Sequence, residues 1–229
     1  MGIENKNVFI TGASGGLGLE LAREFIKQGL NVFGTGTNLA KIELAKKNID
    51  SDRFKIFQCK NSDSDKTLEI LDRMNSVDIF ISNAGSYIDG KVVDNSAYRI
   101  ESVINTNLIG GIITTRLVLE KMQIQGRGVI VDINSNSTLI SKPNMSIYTA
   151  TKKGFDAFIQ CSKLDYPLLK FVSVYPAGIQ TNLHAASGRQ HRDYFLFLDP
   201  KIVAKEITDN LLLNDSEIRL KQYFDRNRR

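Results

Sequence analysis

Short apolar runs rich in Val, Ile and Phe alternate with longer amphipathic stretches along the chain. The runs are NVFITG, NVFGTG, RFKIFQC, SVDIFISNAG, GVIVDINS, KFVSVYPAG and, more weakly, EIRLKQY. Between them GLELAREFIKQG, NLAKIELAKK, DKTLEILDRM and INTNLIGGIITTRLVLEKMQ carry helical spacing. This alternation predicts parallel strands joined by helices, forming a sheet covered on both faces. No repeat, low-complexity tract or Pro/Gly-rich linker interrupts it. The expectation is therefore one α/β domain over residues 1–229, a doubly wound parallel sheet of about seven strands. Such folds take ligands at the carboxyl ends of their strands.

Composition narrows the picture without changing it. Hydrophobic residues make up 42% of the 229 positions and charged residues 24%, ordinary values for a soluble globular chain. No apolar run approaches the roughly 20 residues that span a bilayer, and a strand begins too early to leave room for a signal peptide. Cys59 and Cys161 lack metal-site spacing and suit reduced thiols, so a cytoplasmic location is expected. The net charge of +5 is modest, and part of it lies in the tail FDRNRR. With no accompanying nucleic-acid motif, that tail reads as a solvated end.

TGASGG, Thr11 to Gly16, joins the first strand to the first amphipathic helix. Glycines there let the backbone turn tightly and approach a pyrophosphate, which the free N–H groups of the helix start would hold. Two spacings overlap in this stretch: Gly12, Gly15 and Gly18, or Gly12, Gly16 and Gly18. Further on, SIYTATKKG places Tyr148 and Lys152 four apart at the head of a helical pattern, hence on one face. A cation beside a phenol favours the phenolate, so Lys152 is expected to lower the Tyr148 pKa and make it a proton donor and acceptor. Alone, such a pair is common on helices.

The setting of the pair is not common. TGASGGLG, SNAG, TNLIG, INSNS, YTATK and YPAGIQT, running from Thr11 to Thr181, resemble the short-chain dehydrogenase/reductase family in order and spacing. Ser135 stands thirteen positions before Tyr148, as that family's serine does before its tyrosine. The resemblance implies a Rossmann-type fold of the short, single-domain kind. Branches using the every-third-glycine spacing have a long carboxyl-terminal substrate domain, for which the chain after Thr181 is too short. The expected trio is Gly12, Gly16 and Gly18, with Gly15 incidental.

Carried over by residue, the resemblance implies catalytic roles for Asn107, Ser135, Tyr148 and Lys152. Tyr148 would be the general acid or base. Lys152 would tune it and bond the nicotinamide ribose, Ser135 would hold the substrate oxygen, and Asn107 would relay protons. Cofactor contacts would fall to Gly12, Ser14, Gly16, Leu17, Gly18, Thr37, Asn83, Ala84, Gly85, Tyr148, Lys152, Pro176 and Thr181. No metal is implied. The end of the second strand, read as Gly36 and Thr37, has no acid to repel a 2′-phosphate. NADP(H) is therefore favoured and NAD(H) permitted, with Ser14, Thr37, Asn38 and Lys41 as phosphate contacts.

Three departures from the family pattern stand out: Lys60 and Asn61 at the adenine position, Ala177 after Pro176, and a final strand without a Gly-rich end. Residues 182–200 are the expected substrate loop, with His184, Arg189, His191 and Arg192 beside Tyr194, Phe195 and Phe197. The whole is expected to interconvert a small-molecule carbonyl and a secondary alcohol, as a homodimer with no nucleic-acid or membrane partner. Two alternatives stay open: a nucleotide-sensing regulator without turnover, and an epimerase or dehydratase that recycles its cofactor.

Overall fold

A computed structural model of the protein describes residues 5–183, 197–212 and 217–220. Seven strands pair in parallel: β1 (Asn7–Ile10), β2 (Asn31–Gly36), β3 (Phe54–Gln58), β4 (Ile79–Ser82), β5 (Val129–Ile133), β6 (Lys170–Pro176) and β7 (Glu217–Leu220). Their spatial order is β3-β2-β1-β4-β5-β6-β7. The direction of winding reverses between β1 and β4, which opens a crevice at the carboxyl ends of these two strands. Each expected strand is present, including the weak EIRL run, which pairs with Ser173–Pro176 of β6.

The strands read as continuous apolar runs because alternate residues enter two separate cores. Val8 and Ile10 of β1, Val131 and Ile133 of β5, and Val172 and Val174 of β6 join one cluster. It also holds residues of α1 (Gly16–Lys27), α2 (Leu39–Ile49) and α7 (Pro200–Leu212). Phe9, Phe80, Ile130 and Phe171 point the other way. There they meet α3 (Ser64–Asp72), α5 (Gly110–Gln125) and α6 (Ser146–Asp165). Phe9 and Phe80 stack at 5.5 Å between centroids, both fully buried. Burial of such a side chain contributes about 1.5–3 kcal/mol.

One helix differs from expectation. The pattern begins it at Ile104, but α4 (Ala97–Ile104) precedes it and runs through a π turn, Asn105–Ile109, into α5. Ser96 caps α4, its side chain accepting from the Arg99 N–H, and this moves the start upstream. The continuous stretch Ala97–Gln125 is long and apolar enough to cross a membrane by length and composition, yet half of its apolar 18-residue window is buried in this fold. Its apolar face covers the sheet. The expected loop residues His184, Arg189, His191, Arg192, Tyr194 and Phe195 lie outside the described residues, as does the basic tail.

Candidate active site

A cleft of about 1360 Å³ runs across the carboxyl ends of β1, β2, β4, β5 and β6. At its centre the β1–α1 turn explains the glycines. Gly12 and Gly16 have φ of 71° and 55°, where a side chain would be strained. A Cβ on Gly18 would sit 2.4 Å from the Gly12 carbonyl oxygen, whereas one on Gly15 meets nothing within 4 Å. The turn therefore requires glycine at Gly12, Gly16 and Gly18, whereas Gly15 leaves room for a side chain. No side chain caps α1 and no acid occupies its first turn. That leaves N–H groups and the positive dipole end facing the cleft, which suits an anion.

Thr11 ties this turn to β4. Its hydroxyl accepts from the Asn83 and Ala84 N–H groups, both at 3.0 Å. The Asn83 side-chain amide donates to the Thr11 and Gly12 carbonyls at 2.8 and 3.3 Å. The Asn83 amide nitrogen thus clamps the turn, while its residue, Ala84 and Gly85 line the cleft. Thr181 stands beside Gly16, its Cγ2 3.1 Å from where a Cβ there would be. Pro176 also lines the wall, and Leu17 reaches from cleft to core. Across Ala177, the Gly178 carbonyl accepts from the Leu198 N–H at 2.8 Å, and the Phe197 ring lies over Gly178. Phe197 therefore docks on the protein body.

The β2 end is lined by Ser14, Gly36, Thr37 and Lys41, with Lys60, Asn61 and Ser62 following β3. Among the described residues the single carboxylate lining the cleft is Glu101, on α4. Asn38 is not part of this wall. Its side chain accepts from the Lys41 N–H at 3.0 Å and caps α2. Asn61 is held by Thr106 and Thr114.

Ser135, Tyr148 and Lys152 converge at the opposite end. The start of α6 presents Tyr148 and Lys152, both buried, to the end of β5. Ser135 hydrogen-bonds the phenol. The Lys152 ammonium donates to the Ile133 carbonyl at 2.8 Å. Asn107, in the π turn, accepts from the Ser86 N–H at 2.8 Å and donates to the Ser86 carbonyl and Thr151 hydroxyl. Its Oδ1 and the Lys152 Nζ lie 3.6 and 4.0 Å from the position of a Cβ on Gly85, so both border one small space.

Electrostatics here reverse one expectation. Burial pushes the Tyr148 phenol up to about 12, the Asp132 carboxylate adds to this, and the Ser135 hydrogen bond partly offsets it. Lys152 is pushed down by the same burial, opposed by Asp132. The ammonium is held at the Ile133 carbonyl, and desolvation is the largest influence on the phenol.

A family model described as short chain dehydrogenase matches residues 6–192. The chain belongs to the short chain dehydrogenase family. This short chain dehydrogenase is 32% identical over 188 residues to the 3-oxoacyl-acyl-carrier-protein reductase FabG of Buchnera aphidicola subsp. Schizaphis graminum, covering 80% of this chain and 77% of that one. It is 30% identical to the dehydrogenase/reductase SDR family member 7B of Danio rerio over 227 residues, 90% and 74% of the two chains. Among solved structures it is similar to the alcohol dehydrogenase of Thermococcus sibiricus complexed with 5-hydroxy-NADP. The TM-score is 0.85 at 22% identity, over 97% and 99% of the chains. The Brucella melitensis 3-ketoacyl-acyl-carrier-protein reductase complexed with NADH gives 0.84 at 20%, over 95% and 97%. The structural likenesses establish the fold.

Sequence reasoning missed three parts of this short chain dehydrogenase's site. Tyr87 packs its ring against Tyr148, edge to face at 5.0 Å. With Met145 and Leu183 it forms an apolar cluster at the mouth. Its place two residues after Gly85 was the available signal. Lys142 also lines this end. Asp132 lies buried within β5 behind Lys152; an acid inside an otherwise apolar strand was its signal.

Proposed function

We propose that the protein is a nicotinamide-dependent oxidoreductase that interconverts a carbonyl and a secondary alcohol, with NADP(H) favoured over NAD(H). The observation that carries this is convergence. Ser135, Tyr148 and Lys152 meet at one end of a cleft whose middle is an uncapped helix start behind a glycine turn. The turn fits a dinucleotide, because a Cβ on Gly12, Gly16 or Gly18 would fill the cradle or distort it. When bound, the cofactor supplies or accepts the hydride.

This chain's residues orient the substrate and handle the proton. In reduction the Tyr148 hydroxyl donates to the substrate oxygen, and Ser135 hydrogen-bonds that oxygen as negative charge develops. Lys152 places positive charge behind the phenol, easing the departure of its proton. Asn107 stands where a proton could be returned to the site. Tyr87, Met145 and Leu183 form the apolar wall against which the carbon skeleton of the substrate would rest.

Lys41 and Lys60 with Ser14 and Thr37 at the adenosine end, and no carboxylate there among the described residues, support NADP(H). A fluorescence titration of the purified protein with NADPH and with NADH tests this. NADPH is expected to bind at least about tenfold tighter, or about 1.4 kcal/mol. Tighter NADH binding would overturn the cofactor preference, and binding of neither would overturn the enzymatic reading. Gly36→Asp is expected to shift the ratio of affinities toward NADH by about tenfold or more. Because a Cβ at Gly36 falls 2.6 Å from the Ser14 hydroxyl, Gly36→Ala is the companion variant. It should weaken both cofactors alike. An equal ratio in the two variants would show that charge is not the discriminator.

A further inference from the structure

Asp132 is 1% exposed and sits in the middle of the sheet. Its neighbours across β4 and β6, Ser82 and Ser173, carry no charge. An acid in this place needs partners. The Asn134 amide donates to Asp132 Oδ2 at 2.9 Å and also lies 3.3 Å from Asp156 Oδ1. Tyr175 on β6 donates its hydroxyl to that same Asp156 oxygen at 2.7 Å. Asp132 Oδ1 is buried with no hydrogen-bond partner among the described residues. What remains for the carboxylate is longer-range attraction to the Lys152 ammonium, which is held at the carbonyl of the next residue, Ile133, one helical turn before Asp156 on α6.

The ionisable groups around Asp132 are thus Lys152, Tyr148 and Asp156 from α6, with Tyr175 from β6 beyond Asp156. From α5, Arg116 and Glu120 pair with each other at the surface, and Lys121 donates to the Leu71 carbonyl. None of these three balances Asp132. Asn134 also accepts from the Ser135 N–H at 2.8 Å, so the strand that carries Asp132 holds the backbone of the serine. Two of the three converging site residues therefore connect to one buried acid.

We propose that Asp132 is a positioning residue for the reaction: it is the buried counter-charge that keeps Lys152 protonated, and through Asn134 it fixes the backbone at Ser135. This rests on the oxidoreductase reading for its meaning, though not for its test. Burial raises Asp132 to about 7, with Lys152 and Asn134 opposing the rise and Asp156 adding to it. Below that range the acid is neutral and Lys152 loses its partner. Above it the pair is charged, the ammonium is held, and the negative charge also retains the Tyr148 proton.

The test is an NMR titration of the whole protein carrying 13C-carboxyl aspartate and 13Cε lysine, without cofactor or substrate. One aspartate signal, absent in Asp132→Asn, should titrate near pH 7. In Asp132→Asn the Lys152 midpoint should fall by about one unit or more, a tenfold loss of proton affinity. Asp132→Glu should restore part of it. If Asp132→Asn does not fold, Asp156→Asn carries the test, because removing that neighbouring negative charge should move the Asp132 midpoint downward. An Asp132 midpoint in the ordinary aspartate range, or a Lys152 midpoint indifferent to Asp132→Asn, overturns the proposal. A protein that binds NADPH tightly yet shows either result loses this inference alone.

Discussion

Tyr148→Phe is expected to lower carbonyl reduction by about 10²–10⁴-fold, the usual contribution of a positioned proton donor. NADPH affinity should stay within a few-fold, because the phenol acts on the substrate oxygen while the dinucleotide is held at the β1–α1 turn. The ring itself should keep its place. Phe retains the edge contact with Tyr87 at 5.0 Å and the burial against Ile88 and Val103. The pH dependence follows from the phenol. At about 12 it remains protonated throughout the neutral range, so its capacity to donate does not decline as pH rises from 6 to 9. Oxidation needs the deprotonated form, so alcohol oxidation should rise with pH over that interval. Steady-state rates in both directions, together with the NADPH titration, check this. A variant as active as the parent would remove Tyr148 from the chemistry.

The parts of the site that were legible are those whose spacing lies within one element. Tyr148 and Lys152 share a helix face because they are four apart, and the glycines stand in a single turn. The strands were legible because burial on both faces makes them continuously apolar. What the chain hides is set by distance along it. Asp132 meets Lys152 and Asp156 only when β5 packs under α6, and nothing in VDINS announces that packing. Asn83 lines the cleft, yet the fold uses its amide nitrogen to hold the Thr11 and Gly12 carbonyls, a role its sequence position does not announce. The sign of the Tyr148 shift is hidden in the sequence for a related reason. Spacing names a neighbour, but the extent of desolvation is a property of the assembled core.

Gly18→Ala tests the turn itself and carries the other large expected effect. Its Cβ would fall 2.4 Å from the Gly12 carbonyl oxygen and 2.6 Å from the Asn83 amide nitrogen. Neither can retreat freely, since that amide also holds the Thr11 carbonyl at 2.8 Å. The turn must open or α1 must shift, at about 1–3 kcal/mol of stability. The same movement misaims the N–H groups at the start of α1, so NADPH affinity should fall at least about tenfold. Gly15→Ala is the matched comparison. Its Cβ meets nothing within 4 Å and its φ of 178° is ordinary extended backbone. Stability there should change by less than about 0.5 kcal/mol. Thermal unfolding and NADPH titration of the two variants separate the glycine spacings experimentally. If Gly15→Ala proves as damaging as Gly18→Ala, the Gly12, Gly16 and Gly18 assignment fails and the every-third-glycine spacing takes its place.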